Sequence, residues 1–143
     1  MNDQQAFKNF MYDEKVCVLS VLINSNTLHA AAMHFSIDDQ ALALIFSADI
    51  TQEKYKGIVN FGTCPAAVVV GISEEKWITC QLSGHLEVTS PEEQSRLKKI
   101  HYSRIPSDAA FEMDKNTIFL RFTPSSGKIT DYNGDEPVII ALI

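Results

Sequence analysis

The chain contains few cysteines and few basic residues. Its 143 residues include three cysteines, and 12 Lys and Arg stand against 18 Asp and Glu, a formal net charge of −6. The cysteines, Cys17, Cys64 and Cys80, form no CxxC pair, which argues against a zinc knuckle or a disulfide framework. We expect them to be small buried hydrophobic residues in a reducing compartment. The shortage of basic charge argues against binding to nucleic acid or to an anionic membrane.

Long apolar segments are missing as well. The runs at residues 66–72 and 138–143 are too short to cross a bilayer. Residues 1–15 hold no apolar stretch of the kind that a secretory signal carries, so we expect a cytoplasmic protein. Hydrophobic residues make up 45% of the chain, enough for a real core. We expect one domain over residues 1–143.

Motifs for covalent, nucleotide and metal chemistry do not occur. The sequence has no GxSxG nucleophile elbow, no GxGxxG turn and no Walker loop. His29 and His34 lie five residues apart on one predicted strand, so they face opposite sides of it. Because HxH and HExxH are also absent, we expect no metal site, and on spacing alone His34 is a half-exposed strand residue.

What the sequence does contain is a succession of β-branched, apolar segments separated by turn residues. These segments predict seven strands, at 16–23, 28–36, 41–46, 66–72, 77–88, 118–123 and 138–142. Helices are predicted at 3–14, 51–61 and 90–102, and turns at Asn24–Asn26, Asp38–Asp39, Ser126–Gly127 and Asn133–Gly134. The first three strands are expected to form an antiparallel meander. The pattern indicates a mostly β, α+β fold: an antiparallel β-barrel with a few short helices.

Two local signals support this assignment. Ser90, Pro91 and Glu93 form a capping box, in which Ser90 accepts from the backbone of Glu93 and Glu93 reaches back. Gly84 interrupts a long predicted strand, which indicates a bulge or bend of the kind that turns a barrel corner.

The stretch IFSADITQEKYKGI, residues 45–58, has two interpretations. Thr51 caps a helix and Lys54 is solvated, or the start of the helix holds a phosphate group. Ser47 and Thr51 would then provide hydroxyls, and Lys54 a full positive charge. Trp77 also has two interpretations: it is a core or interface anchor, or its ring lies beside a bound aromatic ligand.

The order of these segments resembles the pyridoxamine 5′-phosphate oxidase-like, FMN-binding split β-barrels. VCVLSVLINSNTLHAAAMHF resembles the opening hairpin of that family, IFSADITQEKYKGI its phosphate segment, and CPAAVVV the next strand. WITCQLSGHLEVTSPEE and FTPSSGKITDY resemble later segments, so the likeness covers residues 16–132. The resemblance implies a homodimer with FMN in the cleft between two protomers.

The resemblance also assigns positions to the flavin. Phosphate and ribityl contacts fall on Ser47, Thr51 and Lys54. The edge of the isoalloxazine ring lies along Ala32, Met33 and His34. Thr79 matches a position where flavin-contacting members often carry glutamine, and Trp77 begins that strand.

The chain departs from the family at several of these places. Gln52 or Glu53 stands where an arginine is common, and an acid beside a phosphate weakens binding. The C-terminal PVIIALI lacks the arginine and histidine with which true pyridoxamine phosphate oxidases bind substrate, which argues against that activity. We therefore expect an FMN-dependent oxidoreductase for an unknown small substrate, with its catalytic residues unidentified. The alternatives are a non-catalytic flavin, deazaflavin or heme-binding module, and a dimer that has lost its ligand.

Overall fold

A computed structural model describes residues 3–38 and 40–142 of the chain. Within these ranges three α-helices form, at Asp3–Tyr12 (α1), Lys56–Phe61 (α2) and Pro91–Arg104 (α3). Short 3-10 segments occupy Glu53–Tyr55 and Pro106–Phe111. The same ranges contain eight strands: Val16–Asn24 (β1), Thr27–His34 (β2), Ser36–Asp38 (β3), Ala43–Asp49 (β4), Thr63–Val70 (β5), Ile78–Val88 (β6), Thr117–Asp131 (β7) and Val138–Ala141 (β8). None of the helices in these ranges is long and apolar enough to cross a membrane.

The strands form one antiparallel sheet in the order β2-β1-β5-β6-β7-β4-β3, and β8 pairs with β7. A single residue, the fully buried Phe35, separates β2 from β3, although these strands lie at opposite ends of the order. The sheet must therefore curl until its two ends approach. The predicted mostly β, antiparallel fold with a few short helices is confirmed.

The predicted meander of the first three strands is wrong. β1 pairs with β2, but the expected second strand breaks at Phe35, and β4 then pairs with β7 rather than with β2. β2 ends where the ring of Phe35 packs into the core, and the chain continues as β3 at the other end of the strand order. The neighbouring turn prediction at Asp38–Asp39 lies partly outside the described residues, because Asp39 is not among them.

A second correction concerns Ser126–Gly127, where we expected a turn. β7 runs through this pair without interruption, and Ser126 and Gly127 pair with Ser83 and Leu82 of β6. A side chain at Gly127 would collide with the side chain of Leu82, so this glycine permits close packing within a strand. The bulge predicted at Gly84 is confirmed by a register shift between Ser83 and Gly84.

The barrel interior is filled by apolar side chains from nearly every element, including Phe7 and Met11 of α1. The three cysteines are free and buried, as predicted. A smaller cluster of Ile45, Leu97 and Phe119 seats α3 on the outside of β4 and β7.

Helix α3 begins as predicted at the Ser90 cap, whose hydroxyl accepts from the backbone N–H of Glu93 at 3.4 Å. The reciprocal half of the predicted capping box does not form, because the carboxylate of Glu93 binds Arg96 at 2.6 Å. Both terminal nitrogens of Arg96 also donate to the buried carboxylate of Asp38, at 2.9 and 2.8 Å. This bidentate ion pair holds α3 against β3.

Candidate functional site

A groove opens where β4 ends and the chain turns toward α2. It has a volume of about 350 Å³. Strand β2 contributes the three residues predicted to lie along a flavin ring, and β4 and the following segment contribute Ser47 and Lys54. The residues lining it are Ala32, Met33, His34, Ser47, Ala48, Asp49, Gln52, Lys54, Tyr55, Asp108, Asp114 and Thr117. Five of the eight predicted site residues therefore lie together, although they come from separate parts of the chain.

Thr51 does not begin a helix, and this part of the sequence prediction is wrong. Its hydroxyl and its backbone N–H both donate to Oδ1 of Asp49, at 2.6 and 3.0 Å. This turn, closed by an aspartate side chain, competes with helix formation. Regular structure resumes only with the 3-10 segment Glu53–Tyr55, whose cap residue Gln52 has extended backbone and no capping side chain. Lys54 thus precedes α2, and the expected contribution of a helix terminus at Thr51 is missing.

Lys54 is the cation of the groove. Its ammonium lies 3.6 Å from the sulfur of Met33 and 5.2 Å from the centre of the Tyr55 ring. Partial burial lowers the pKa of Lys54. Among the described residues no carboxylate lies within ion-pair distance of this ammonium. A thioether is a weak acceptor, so the charge remains available to an anionic ligand.

Three carboxylates share the groove with Lys54, and no sequence pattern indicated them. Asp49 accepts both bonds from Thr51, which lower the pKa of its carboxyl. Asp114 accepts from the backbone N–H of Asn116 at 2.9 Å. Glu53, the acid expected to weaken a phosphate site, is absent from the groove lining and pairs with Lys56 at 3.0 Å. The third carboxylate, Asp108, faces two histidines.

A hydrogen-bonded chain leads from the groove into the core. His34, with 44% of its side chain exposed, places Nδ1 3.1 Å from Oδ1 of Asp108. Oδ2 of Asp108 lies 2.8 Å from Nε2 of His101, and Nδ1 of His101 lies 2.8 Å from the hydroxyl of Ser36. His101 and Ser36 are fully buried. Burial is the main cause that lowers the pKa of His101, and it outweighs the opposing effect of Asp108.

The Tyr55 side chain forms part of the groove wall. The residue is 1% exposed, and its hydroxyl has no hydrogen-bond partner within the described residues. Burial, with a contribution from Asp49, raises the pKa of this phenol. Tyr55 therefore stays protonated and has an unused donor, which the sequence pattern did not reveal.

Trp77 and Thr79 lie away from this groove. They line a separate depression of about 180 Å³, where the Trp77 ring meets Tyr132 edge-on at 6.3 Å between centroids. The Thr79 hydroxyl donates to the carbonyl of Val70 at 3.3 Å. Met33 of the groove and Cys80, the residue after Thr79, lie side by side across four adjacent strands. They are therefore three strand spacings, or about 14 Å, apart. A single chain thus does not bring these two residues to the five that line the groove, and Thr51 is also absent from the groove lining.

The sequence matches no protein-family model and no curated protein closely enough to be assigned by sequence. Its structure, however, is similar to solved structures. A protein related to general stress protein 26, of the pyridoxinephosphate oxidase family, from Clostridium acetobutylicum superposes with a TM-score of 0.71 at 10% identity. That match covers 99% of this chain and 97% of the other. A NimC/NimA family protein from the same organism gives 0.66 at 14% identity, over 98% and 92%.

A heme binding protein from Mycobacterium smegmatis gives a TM-score of 0.75 at 11% identity. The match covers 99% of this chain but 58% of that protein, so the chain spans less than two thirds of its length. At these identities the comparisons establish the fold alone. They confirm that the chain has the split β-barrel architecture that the sequence resemblance implied.

Proposed function

We propose that this protein binds FMN in the groove and acts as an FMN-dependent oxidoreductase on a small molecule. The observation that carries the proposal is the placement of Lys54. An ammonium without a carboxylate partner among the described residues shares a groove with the Ser47 hydroxyl and with one end of strand β2. A charged donor beside a hydroxyl suits a phosphate group.

The residues present fit the two ends of FMN. For the phosphate, Lys54 offers a charge and Ser47 a hydroxyl. Thr51 remains in the proposal as a third phosphate contact, which requires its hydroxyl to leave Asp49 when the ligand binds. For the ring, β2 has only β1 as its partner within the described sheet, so backbone groups along residues 32–34 have an open side. Tyr55 is part of the same wall, and its hydroxyl is buried beneath the groove surface.

When bound, FMN supplies the two-electron chemistry that side chains lack. The chain binds the phosphate at Ser47 and Lys54 and orients the ring against the backbone of residues 32–34. A small substrate would stack on the open face of the ring beside His34, whose side chain reaches the groove. This division of labour accounts for a site without a nucleophile motif. Pyridoxamine phosphate oxidation itself is not part of the proposal.

The proposal includes a homodimer with flavin at its interface. Large apolar side chains are exposed on several elements: Leu28, Phe61, Ile72, Trp77, Val138 and Ile139. A second copy would cover part of this surface. In such a dimer Trp77 and Thr79 contact the flavin from the opposite protomer, since within one chain they lie in another depression. Sedimentation at micromolar concentration should give a dimer, and a monomer would count against the shared site.

One observation favours a second candidate, a heme-binding module. An imidazole that donates one N–H to a carboxylate is the usual arrangement of an iron-ligating histidine, and His34 and Asp108 form such a pair. The structurally similar protein from M. smegmatis is called heme binding.

A carrier that binds flavin or deazaflavin without turnover would use the same groove as the FMN proposal. A cytoplasmic location stays part of the proposal and rests on the three free cysteines.

The visible spectrum of the untreated protein separates these candidates. Flavin, deazaflavin and heme each have their own absorption bands. The FMN proposal requires flavin bands in the purified protein, or a saturable change in the absorption or fluorescence of FMN when the protein is titrated with it. Rapid bleaching of those bands by NADH or NADPH would mark an enzyme rather than a carrier. A Soret band that disappears in His34→Ala would replace the FMN proposal with the heme candidate.

A further inference from the structure

We propose that His34 is the acid–base residue of the groove and that Asp108, anchored from the core by His101, is its positioning residue. The inference rests on the proposed function for the use of the proton, but its geometry is independent of any flavin. The groove thus contains a proton-exchanging group as well as a ligand-binding wall.

The first step of the argument is the position of Asp108. It belongs to the 3-10 segment Pro106–Phe111, 74 residues from His34 in sequence, and 19% of its side chain is exposed. Helix α3 ends at Arg104, so the chain delivers Asp108 directly after the helix that carries His101. The Asp38–Arg96 ion pair holds that helix against β3. Asp108 is therefore held by its bond to the buried His101, a residue of the packed helix.

The second step is the assignment of protons. An ionised carboxylate only accepts hydrogen bonds, so both histidines must donate to Asp108. His101 donates from Nε2 and receives the Ser36 hydroxyl at Nδ1, and one neutral tautomer satisfies both bonds. His34 donates from Nδ1. Each oxygen of Asp108 then serves one imidazole.

The consequence is that Nε2 of His34 is left for the groove. No hydrogen bond joins this nitrogen to any described residue. With its Nδ1 proton held by Asp108, a neutral His34 accepts a proton at Nε2, and a protonated His34 donates one there. Reduction of a substrate double bond takes a hydride and a proton. A reduced nicotinamide, NADH or NADPH, would first reduce the FMN of the proposed function; the reduced FMN would then give its hydride to one atom of the double bond and return to oxidised FMN. Nε2–H of His34 would give its proton to the other atom, and the neutral imidazole would take up a new proton from solvent.

A second interpretation of His101 and Ser36 is purely structural: they are two buried polar groups that satisfy each other's hydrogen bonds. If His101 and Ser36 have a purely structural role, a change at His101 leaves the tautomer of His34 unaffected. The tautomer is therefore the property that separates positioning from packing.

The test is nitrogen NMR of the ¹⁵N-labelled protein without ligand, at a pH where imidazoles are neutral. We expect His34 to carry its proton on Nδ1. In Asp108→Asn the ratio of the Nδ1–H to the Nε2–H form should fall roughly tenfold, since a charge-assisted bond is lost. Asp114→Asn removes another carboxylate of the same groove and should leave the ratio unchanged. An Nε2–H form in the wild type, or equal ratios in all three proteins, would overturn the proposal.

Adding FMN to the same sample tests the second half. Nε2 of His34 should shift on saturation, while the exposed His29 and His85 should not. Saturable FMN binding with no shift at His34 would overturn its acid–base role. If FMN does not bind but the tautomer ratios follow the expectation, the proposed function fails and the positioning by Asp108 stands. His101→Phe, which keeps the ring contacts with Tyr102 and Phe119, should weaken the Nδ1–H preference of His34.

Discussion

The ammonium of Lys54 lies 3.6 Å from the sulfur of Met33. This contact joins the segment after β4 to β2, two parts of the chain that share no strand pairing. It sets the charge of Lys54 beside the strand residues predicted to face a flavin ring. The same contact explains why the ammonium is retained in the groove without an ion-pair partner among the described residues.

Asp49 gives the first prediction. Its carboxylate lies in the groove lining with Lys54, so it repels an anionic ligand. Asp49→Asn should tighten FMN binding roughly two- to fivefold, because the repulsion between two solvent-screened negative charges is weak. Asparagine still accepts from Thr51, which preserves the turn. Fluorescence titration measures the change. The matched control is Glu53→Gln, which lies outside the groove and should leave the FMN affinity unchanged. Equal FMN affinities for Asp49→Asn and the wild type would show that no anion binds near Asp49.

His101 predicts how stability depends on pH. Burial lowers its pKa below the ordinary value of 6.5, with His34 adding to the decrease and Asp108 opposing it. The unfolded chain therefore takes up a proton at higher pH than the folded chain does. The free energy of unfolding is at its full value above the unfolded pKa and falls as pH drops below about 6.5.

Urea unfolding at several pH values between about 8 and 5 measures this slope. His101→Phe should be less stable throughout, because Ser36 loses its acceptor, yet its stability should fall less steeply with pH. His29→Gln changes an exposed imidazole and should keep the wild-type slope. A slope that is identical in His101→Phe and wild type would exclude His101 as its source.

Two glycines give a matched pair of stability predictions. A Cβ at Gly84 would collide with the carbonyl of Thr123 and lie 2.8 Å from Cα of Pro124, so Gly84→Ala should cost about 3 kcal/mol. Gly62 ends α2 at a φ of 75°, and a methyl group added there would meet no described atom within 4 Å beyond its neighbours in the chain. Gly62→Ala should cost about 1 kcal/mol, from backbone strain alone. Equal losses in thermal or urea unfolding would contradict the close packing at the bulge.

The parts of the fold that sequence reasoning could predict are local. Ser90 with Pro91 indicated the start of α3, and Gly84 indicated a bulge, because each effect depends on a few adjacent residues. The pairing of β4 with β7 and the passage through Phe35 could not be read in the same way. Both depend on which strands meet when the sheet curls, and this is settled by packing between distant segments.

The same distinction holds for the candidate site. Ser47 and Lys54 were identified because they lie close together in one segment, and β2 was added by resemblance. Asp108 was missed because its partner His34 is 74 residues away and a lone aspartate in a polar stretch gives no signal. Thr51 was misassigned because Asp49 competes for its hydroxyl and its N–H, and sequence alone does not decide between an aspartate turn and a helix cap.

FMN titration of Lys54→Ala tests the central claim most directly. Lys56→Ala is the control, since Lys56 is two residues away, exposed and paired with Glu53. If the groove holds the phosphate, Lys54→Ala should weaken FMN binding roughly tenfold or more, the loss of one charged hydrogen bond, while Lys56→Ala binds as the wild type does. Wild-type affinity in Lys54→Ala, or no saturable binding of FMN to the unaltered protein, would contradict the assignment of this groove to a flavin.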